Sequence, residues 1–263
     1  MTTEQMTAQE GRTIYRRPLL LSNPTSYCPG CGHGIVHRLL AEVLEEMDLG
    51  GRTILVGSVG CSVFAYDYLR LDSVESPHGR AAAVATGVKR VRPDRIVFTY
   101  QGDGDLASIG MAETIHAANR GENFTVIFIN NTVYGMTSGQ MAPTTLIGQK
   151  TATSPAGRSV ERYEGYPMKM AEMIGGLEAP AYVVRTSVHD LKGVIATKKA
   201  ILRAFRLQIE GKGYSLVEVL SQCPTNLGLT PVENNRWIEE NLTKQFPLGI
   251  YKDKFGLERV PGK

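Results

Sequence analysis

Two apolar strands joined through one helix constrain the fold of this chain more than any other feature of its sequence. The strands are predicted at 94–101 (DRIVFTYQ) and 124–130 (FTVIFIN), and both are rich in β-branched and aromatic residues. Residues 106–120 between them are predicted to form a helix. A strand, a helix and a second strand in this order make a β-α-β crossover, which places both strands parallel in one sheet.

The same alternation continues on both sides of the crossover. Further strands are predicted at 52–58, 181–188 and 214–221, and further helices at 34–47, 79–91, 190–209 and near Trp237. This order predicts an α/β fold with a doubly wound, mostly parallel sheet. We expect an irregular N-terminal arm (1–25), one folded domain (26–225) and a C-terminal extension (226–263) that ends in an irregular tail. The extension is expected to pack on the domain or on a partner subunit.

Composition excludes several classes of protein. With 42% hydrophobic residues, the chain can bury a core without disulfide bonds. Its net charge is only +3 and its Lys and Arg residues are scattered, which argues against nucleic-acid binding. No apolar run is long enough to cross a bilayer, and the first twelve residues carry acids and lack the apolar core of a signal peptide. We therefore predict a cytoplasmic protein, in which cysteines stay reduced and serve as metal ligands or catalytic groups.

Polar residues follow the two strands of the crossover. Asp103 stands between two glycines after the first strand, and Asn131 follows the second. At this edge of the sheet the Asp carboxylate, the Asn amide oxygen and a backbone carbonyl near Val133 could bind Mg²⁺ with a diphosphate, facing the amides of the next helix. The alternative for the GDG turn by itself is a helix cap made by Asp103 or Asp105.

The spacing of the four cysteines leaves several kinds of site open. Cys28 and Cys31 form a C-x-x-C turn, whereas Cys61 and Cys223 are isolated in loops after predicted strands. A structural zinc site usually pairs two such turns, and a thioredoxin-type dithiol leaves the isolated cysteines without a role. Taken singly, each isolated cysteine reads as a small buried residue. Because their loops can meet at one sheet edge, all four could instead bind one 4Fe–4S cluster.

The run from GDG to NN resembles the thiamine diphosphate motif. In that motif the Asp and the final Asn bind Mg²⁺ with a backbone carbonyl two residues later, which here are Asp103, Asn131 and Val133. The segments CPGCGHG, VGCS, HGRA, QGDGD and NNTVYGMTSGQMAPTT extend the resemblance from about residue 25 to residue 225. Over this length the chain resembles the β subunit of the 2-oxoacid:ferredoxin oxidoreductases.

The family resemblance implies a sheet of the thiamine diphosphate-binding type and two kinds of cofactor site. It implies a 4Fe–4S cluster held by Cys28, Cys31, Cys61 and Cys223. It also implies that residues of three loops contact thiamine diphosphate: Val59, Gly60, Cys61, Ser62, Gly104, Asp105, Gly135, Met136, Thr137, Ser138, Gly139 and Gln140.

The implied activity is oxidative decarboxylation of a 2-oxoacid with coenzyme A to an acyl-CoA and CO₂. Electrons would pass through the cluster to ferredoxin. The activating glutamate and the pyrimidine-binding domain would belong to a partner α subunit, with γ and δ subunits as further partners. The chain is then catalytically incomplete by itself, and no glutamate of this chain is assigned that role.

Two histidines and the substrate remain open at this stage. His78 could face the substrate or the diphosphate, or be a structural loop residue; His33 could tune the cluster through an N–H···S bond or cap its helix. The uncharged stretch 132–149 favours an apolar, branched-chain 2-oxoacid, because the second carboxylate of 2-oxoglutarate needs a cation. GQMAPTT, by contrast, resembles subunits assigned to 2-oxoglutarate.

Two rival functions are compatible with parts of this pattern. A thiamine diphosphate-dependent decarboxylase or carboligase without redox chemistry would use the cysteines structurally or for zinc. A metal-binding scaffold that uses CPGC as an interaction module would explain the cysteines but neither loop at the strand ends.

Overall fold

The computed structural model describes residues 16–22 and 24–256. Its strands are β1 (Thr53–Gly57), β2 (Asp72–Glu75), β3 (Ile96–Gly102), β4 (Thr125–Asn130), β5 (Val133–Tyr134), β6 (Gln140–Met141), β7 (Tyr182–Ser187), β8 (Ser215–Leu220) and β9 (Gly249–Asp253). Its α-helices are α1 (Gly32–Glu46), α2 (Ala65–Tyr68), α3 (Ala81–Val91), α4 (Met111–Asn119), α5 (Met170–Gly175), α6 (Leu191–Ile209), α7 (Pro224–Leu227), α8 (Pro231–Trp237) and α9 (Thr243–Gln245). Residues 1–15 and 23 of the expected arm, and residues 257–263 of the expected extension, lie outside the described residues.

Seven strands form one sheet in the order β2-β1-β3-β4-β8-β7-β9. Neighbouring strands are parallel except for the antiparallel pair β7–β9. The predicted doubly wound, mostly parallel α/β fold is therefore confirmed. β3 and β4 are direct neighbours, with Gly102 opposite Ile129, so the two loops that follow them leave the sheet side by side.

Helices cover both faces of the sheet. On one face α1 and α6 bury residues such as Leu40 and Phe205 against β1, β3, β4 and β8. On the other face α3, α4 and α5 pack against the same central strands, and the small residues Ala82 and Ala85 of α3 are buried there. Burial on both faces explains why the central strands read as continuous apolar runs rather than as alternating ones.

The helix predicted over 106–120 is divided in the structure. Asp105–Ile109 form a π-helical turn, and α4 begins only at Met111. The backbone of Gly110 passes so close to Gly79 that a Cβ on Gly110 would lie 2.5 Å from the Gly79 carbonyl oxygen. The amide of Gly110 bonds to the carbonyl of Asp105 (2.8 Å), as in a π turn. The close approach of the loop before α3 accounts for this break, and the sequence pattern did not contain that information.

The irregular tail expected beyond Trp237 is wrong for Gly249–Asp253, which form β9 at the edge of the sheet. The buried guanidinium of Arg185 in β7 holds this region, because it pairs with Glu172 (2.6 Å) and Glu218 (3.0 Å) and donates to the Tyr251 hydroxyl (2.5 Å). A short edge strand of mixed polarity has no clear period, so the sequence alone did not reveal it. The domain boundary at residue 225 stays a prediction.

The short strands β2, β5 and β6 were not predicted either. β2 lies at the opposite edge of the sheet, and β5 and β6 form a small antiparallel pair within the loop after β4. None of the helices in the two described ranges is long and apolar enough to cross a lipid bilayer.

Candidate functional site

The loops after β3 and β4 meet at Asp103. One carboxylate oxygen of this buried residue accepts the Gly104 amide (2.9 Å), and the other accepts the hydroxyl of Thr144 (2.8 Å) from the loop after β6. Backbone amides of Asn131 and Thr132 also bond to the carboxylate. The structure thus brings Asp103 and Asn131 together, as the order of the strands predicts, while their roles as metal ligands stay predictions.

The buried Asp103 carboxylate is held by neutral hydrogen bonds. Burial raises its pKa to about 6, and only the neutral hydrogen bonds from Thr144 and backbone amides oppose that rise. Among the described residues no Lys or Arg bonds to it. A buried carboxylate with neutral partners fits a hard cation such as Mg²⁺, which would supply the missing charge.

The turn after Asn131 has a strained backbone. Thr132 has a φ of +67°, a conformation in which β-branched residues are genuine outliers. Its hydroxyl donates to the Asn131 carbonyl (2.7 Å) and accepts from the Gln149 side chain (2.9 Å). The Asn131 side-chain oxygen lies 3.4 Å from the Val133 amide nitrogen. Strain of this kind is maintained where surrounding contacts fix it, and it is concentrated at functional sites.

One cavity collects most of the predicted cofactor contacts. Its walls include residues of the loops after β1, β2, β3 and β4, namely Val59, Gly60, Cys61, Ser62, His78, Asp103, Gly104, Asp105, Asn131, Val133, Gly135, Met136 and Thr137, with His33, Gly102 and Tyr134 beside them. Ser138, Gly139 and Gln140 lie outside this lining. Two glycines keep the cavity open: a Cβ on Gly104 would lie 2.2 Å from the ring of Tyr134, and one on Gly135 would lie 3.3 Å from the Cys61 sulfur.

Asp105 is engaged within the protein. One oxygen accepts the Gly79 amide (2.7 Å) and lies 2.6 Å from Nδ1 of His78, and the other accepts the side chain of Gln101 (2.6 Å). The predicted role of Asp105 as a cofactor contact therefore stays a prediction, and its visible role is to hold the loop before α3. His78 itself is half-buried at the cavity, with its ring 6.5 Å from that of Tyr134.

The four cysteines come together beside the cavity, two of them next to Gly135. All four are free thiols. The sulfurs of Cys61 and Cys223 lie 3.3 and 3.6 Å from the same point, the Cβ position of Gly135. Burial raises the pKa of Cys31 to about 12, and charges on the other three cysteines push it further in that direction. Three chain segments distant in sequence thus bring their thiols into one group.

N–H groups of the backbone and of a side chain donate hydrogen bonds to two of these sulfurs. The amide of His33 donates to Cys31, and the side-chain amide of Asn226 donates to Cys223 (3.2 Å). Such donors stabilise thiolates and tune iron–sulfur clusters. In the described part of the chain no three His, Cys, Asp or Glu side chains are arranged to hold a single metal ion. The ligand roles of the cysteines accordingly stay predictions.

Below the C-x-x-C turn lies a buried group of rings. His33 stacks on Tyr27 (centroids 4.9 Å apart) and its Nδ1 lies 2.8 Å from the Tyr100 hydroxyl. Burial lowers the pKa of His33 to about 4, so its ring is neutral. Burial and the nearby His33 lower the pKa of His37 well below its usual value. Neither ring nitrogen of His37 has a hydrogen-bond partner among the described residues. The His33 side chain thus faces Tyr100, while its backbone amide faces the cysteine.

Sequence reasoning missed Thr144, Tyr27 and Asn226. Thr144 lies in the APTT segment but carried no signal of its contact with Asp103. Asn226 follows Cys223 by three residues in CPTN, and only this proximity to a cysteine could have suggested it.

Comparisons with known proteins show which family the chain belongs to. Residues 58–219 match the family described as thiamine pyrophosphate enzyme, C-terminal TPP binding domain. Ketoisovalerate oxidoreductase subunit VorA of Methanothermobacter thermautotrophicus is 51% identical over 230 residues, which cover 88% of this chain and 48% of VorA. The chain thus spans about half the length of this relative.

Shorter relatives and a solved structure extend the likeness. The 2-oxoglutarate synthase subunit KorB of Methanocaldococcus jannaschii is 40% identical over 83% of this chain and 78% of KorB. A structure of 2-oxoglutarate:ferredoxin oxidoreductase from Magnetococcus marinus, with 2-oxoglutarate, coenzyme A and succinyl-CoA bound, superposes with a TM-score of 0.72. It is 27% identical and covers 88% of this chain and 75% of that chain. The chain belongs to the thiamine pyrophosphate enzyme family, among the thiamine-binding subunits of the 2-oxoacid oxidoreductases.

Proposed function

We propose that this chain is the β subunit of a 2-oxoacid:ferredoxin oxidoreductase. In a larger enzyme it would bind the diphosphate end of thiamine diphosphate and one 4Fe–4S cluster, and the enzyme would convert a 2-oxoacid and coenzyme A to an acyl-CoA and CO₂. The observation that carries the proposal is the position of Gly135. Gly135 and Cys61 both line the cavity that contains Asp103, and the Cβ position of Gly135 lies 3.3 Å from the Cys61 sulfur and 3.6 Å from the Cys223 sulfur.

Asp103, the Asn131 side chain and the Val133 carbonyl would bind Mg²⁺ and, through it, the diphosphate. The buried Asp103 carboxylate, which has only neutral partners, supports this assignment. The strained backbone of Thr132 supports it as well, because this turn fixes the orientation of the Asn131 side chain and of the Val133 carbonyl.

Cys28, Cys31, Cys61 and Cys223 would bind the cluster. Their sulfurs lie close together and three of the four residues are partly or fully buried, so that thiolates there would repel one another until a positively charged group joins them. The N–H donors at two of the sulfurs favour the ionised form that a metal cluster requires.

Thiamine diphosphate, when bound, supplies the electron sink that makes decarboxylation of a 2-oxoacid possible. The residues of this chain bind, orient and shield the reacting groups. Gly104 and Gly135 leave room beside the cavity, and the loop that begins at Tyr134 lines it. Asp105 holds Nδ1 of His78, which leaves Nε2 of that ring free to exchange a proton at the cavity. His78 remains a candidate catalytic residue on this basis.

A partner subunit would complete the site. Among the described residues that line the cavity there is no glutamate, which a thiamine enzyme needs at the pyrimidine end. VorA, about twice as long as the match, shows that a relative carries further sequence on the same chain. We assign the pyrimidine-binding domain to an α subunit, further clusters to γ and δ subunits, and electron acceptance to ferredoxin. The free thiols favour a cytoplasmic enzyme.

A branched-chain 2-oxoacid is the substrate that the cavity favours. No Lys or Arg is among the described lining residues, so this chain offers no partner for a second carboxylate. Identity to the ketoisovalerate subunit VorA (51%) also exceeds identity to the 2-oxoglutarate subunit KorB (40%). 2-Oxoglutarate is the second candidate, supported by the 2-oxoglutarate-bound structural neighbour, and would need a cation from the partner.

The deciding experiment is a metal and turnover analysis of the complex prepared without oxygen and with its neighbouring subunits. We expect iron and sulfide assignable to this chain, an EPR signal after reduction, and ferredoxin reduction that requires thiamine diphosphate and coenzyme A. The kcat/KM should be higher for 3-methyl-2-oxobutanoate than for 2-oxoglutarate. Zinc at the cysteines together with decarboxylation that needs no electron acceptor would instead favour the non-redox enzyme, and a preference for 2-oxoglutarate would overturn the substrate assignment.

A further inference from the structure

The side chain of Asn226 bonds to both the cysteine group and the cofactor loop. Its Nδ2 donates to the Cys223 sulfur (3.2 Å) and to the Gly135 carbonyl (3.0 Å). Its Oδ1 lies where it would be 2.7 Å from a Cβ on Gly139, so the other end of the loop packs against the same amide. One side chain therefore touches a proposed cluster ligand and two points of the loop 134–140.

We infer that Asn226 is a positioning residue that couples the thiamine diphosphate loop to the redox properties of the cluster. The inference rests on the proposed function. A primary amide has two N–H donors, and here one serves the sulfur and the other serves the loop carbonyl. The amide is planar, so a movement of Gly135 turns both bonds together.

The expected effect on the cluster has a definite sign. An N–H···S bond stabilises the more negatively charged, reduced state of an iron–sulfur cluster and therefore raises its reduction potential. Removing the donor should lower that potential. The same substitution frees the Gly135 carbonyl and loosens the loop that lines the cofactor cavity, so the affinity for thiamine diphosphate should fall as well.

Asn226→Leu is the informative variant, because it keeps the branched outline of the side chain and removes both side-chain donors, while the backbone amide that also donates to Cys223 stays in place. The test is an EPR-monitored redox titration of the complete complex, with the Kd of thiamine diphosphate measured in Mg²⁺. We expect the reduction equilibrium to shift several-fold to about tenfold toward the oxidised cluster, which for one electron is up to about 59 mV lower. The Kd should rise by a similar factor, since a single hydrogen bond is lost.

Asn235→Ala is the matched control. Asn235 accepts a hydrogen bond from Gln222, which precedes Cys223 in the sequence (2.6 Å), and within the described residues no hydrogen bond links it to a sulfur or to the loop 134–140. This variant should keep the potential and the Kd of the wild type, and a shift in either would assign the effect to local packing and overturn the inference.

The remaining outcomes separate the inference from the proposed function. A complex that contains the cluster and binds the cofactor, but whose Asn226→Leu variant keeps the wild-type potential, overturns the inference alone. A change in only one of the two properties also overturns it, because coupling requires both. Absence of a cluster or of thiamine diphosphate binding in the wild type overturns the proposed function and the inference together.

Discussion

The diphosphate side and the cysteine side of the candidate site are built in different ways. The diphosphate side consists of Asp103 and Asn131, which end neighbouring strands of one crossover, so sheet register alone brings them together. The cysteine side consists of four thiols from the segments before α1, after β1 and after β8. No single supersecondary unit contains them, and the long-range packing of the domain has to place them.

The diphosphate side and the cysteine side also differ in how many hydrogen bonds hold the groups that would bind a cofactor. Asp103 is buried with neutral hydrogen bonds that fix both carboxylate oxygens. The thiols have few hydrogen-bond partners among the described residues, and Asn226 at Cys223 is the clearest one. The difference indicates a preformed site for a hard cation on one side. On the cysteine side, we expect the binding of the metal cluster itself to fix the positions of the thiols.

The largest expected effects come from removing one ligand on each side. Asp103→Ala should weaken Mg²⁺-dependent thiamine diphosphate binding on the order of 100-fold or more, since loss of a mere supporting residue already costs about 10–100-fold at metal sites. Its iron and sulfide content should stay at the wild-type level. Titration calorimetry with the cofactor, beside metal analysis of the same sample, measures both.

Cys223→Ala should give the reverse result, with the EPR signal of the cluster lost and thiamine diphosphate affinity changed by less than about tenfold. If Asp103→Ala bound the cofactor with full affinity, or if each variant lost both groups, the separation of the two sides would be wrong.

A smaller effect is expected from the close approach within the GDG turn. A Cβ on Gly104 would lie 2.2 Å from the Tyr134 ring, so Gly104→Ala should displace that ring and weaken thiamine diphosphate binding about tenfold through overpacking. Gly87→Ala on the exposed side of α3 is the control, because nothing lies within 4 Å of its Cβ position and it does not line the cavity. Equal affinities of the two variants would contradict the assignment of Tyr134 to the cofactor wall.

The smallest effect concerns the rings below the cysteine side. Burial lowers the pKa of His37, so below pH 6.5 the unfolded chain binds a proton that the folded protein excludes. The free energy of unfolding should therefore fall as the pH decreases from 7.5 to 5, and His37 should contribute up to about 1.4 kcal/mol of that fall for each pH unit below 6.5. Urea unfolding at pH 7.5 and pH 5 should show a smaller decrease in the free energy of unfolding for His37→Leu than for the wild type.

His116→Gln, on the exposed side of α4, is the control and should show the same pH dependence as the wild type. A His37→Leu variant with wild-type pH dependence would show that this ring is protonated or solvated in the folded state, contrary to its burial.

Much of this molecule followed from local sequence. Apolar strands alternating with amphipathic helices predicted the parallel α/β sheet, because strands buried on both faces need apolar residues throughout. The GDG and NN segments predicted the meeting of Asp103 with Asn131, because parallel neighbouring strands release their loops at the same edge. The edge strand β9 and the π turn at Asp105 did not follow, since each depends on a distant partner, Arg185 in one case and Gly79 in the other.

By itself, the sequence determined the sheet, the residues at the strand ends and the four cysteine positions, all of which depend on composition and spacing along the chain. Only the tertiary structure decided that Asp105 serves His78 rather than standing free and that Gly135 lies against two sulfurs. It also showed that Asn226 joins the cofactor loop to Cys223. The physical reason is that hydrogen bonds and close approaches between distant segments depend on distances of a few tenths of an ångström, which no periodicity in a sequence encodes.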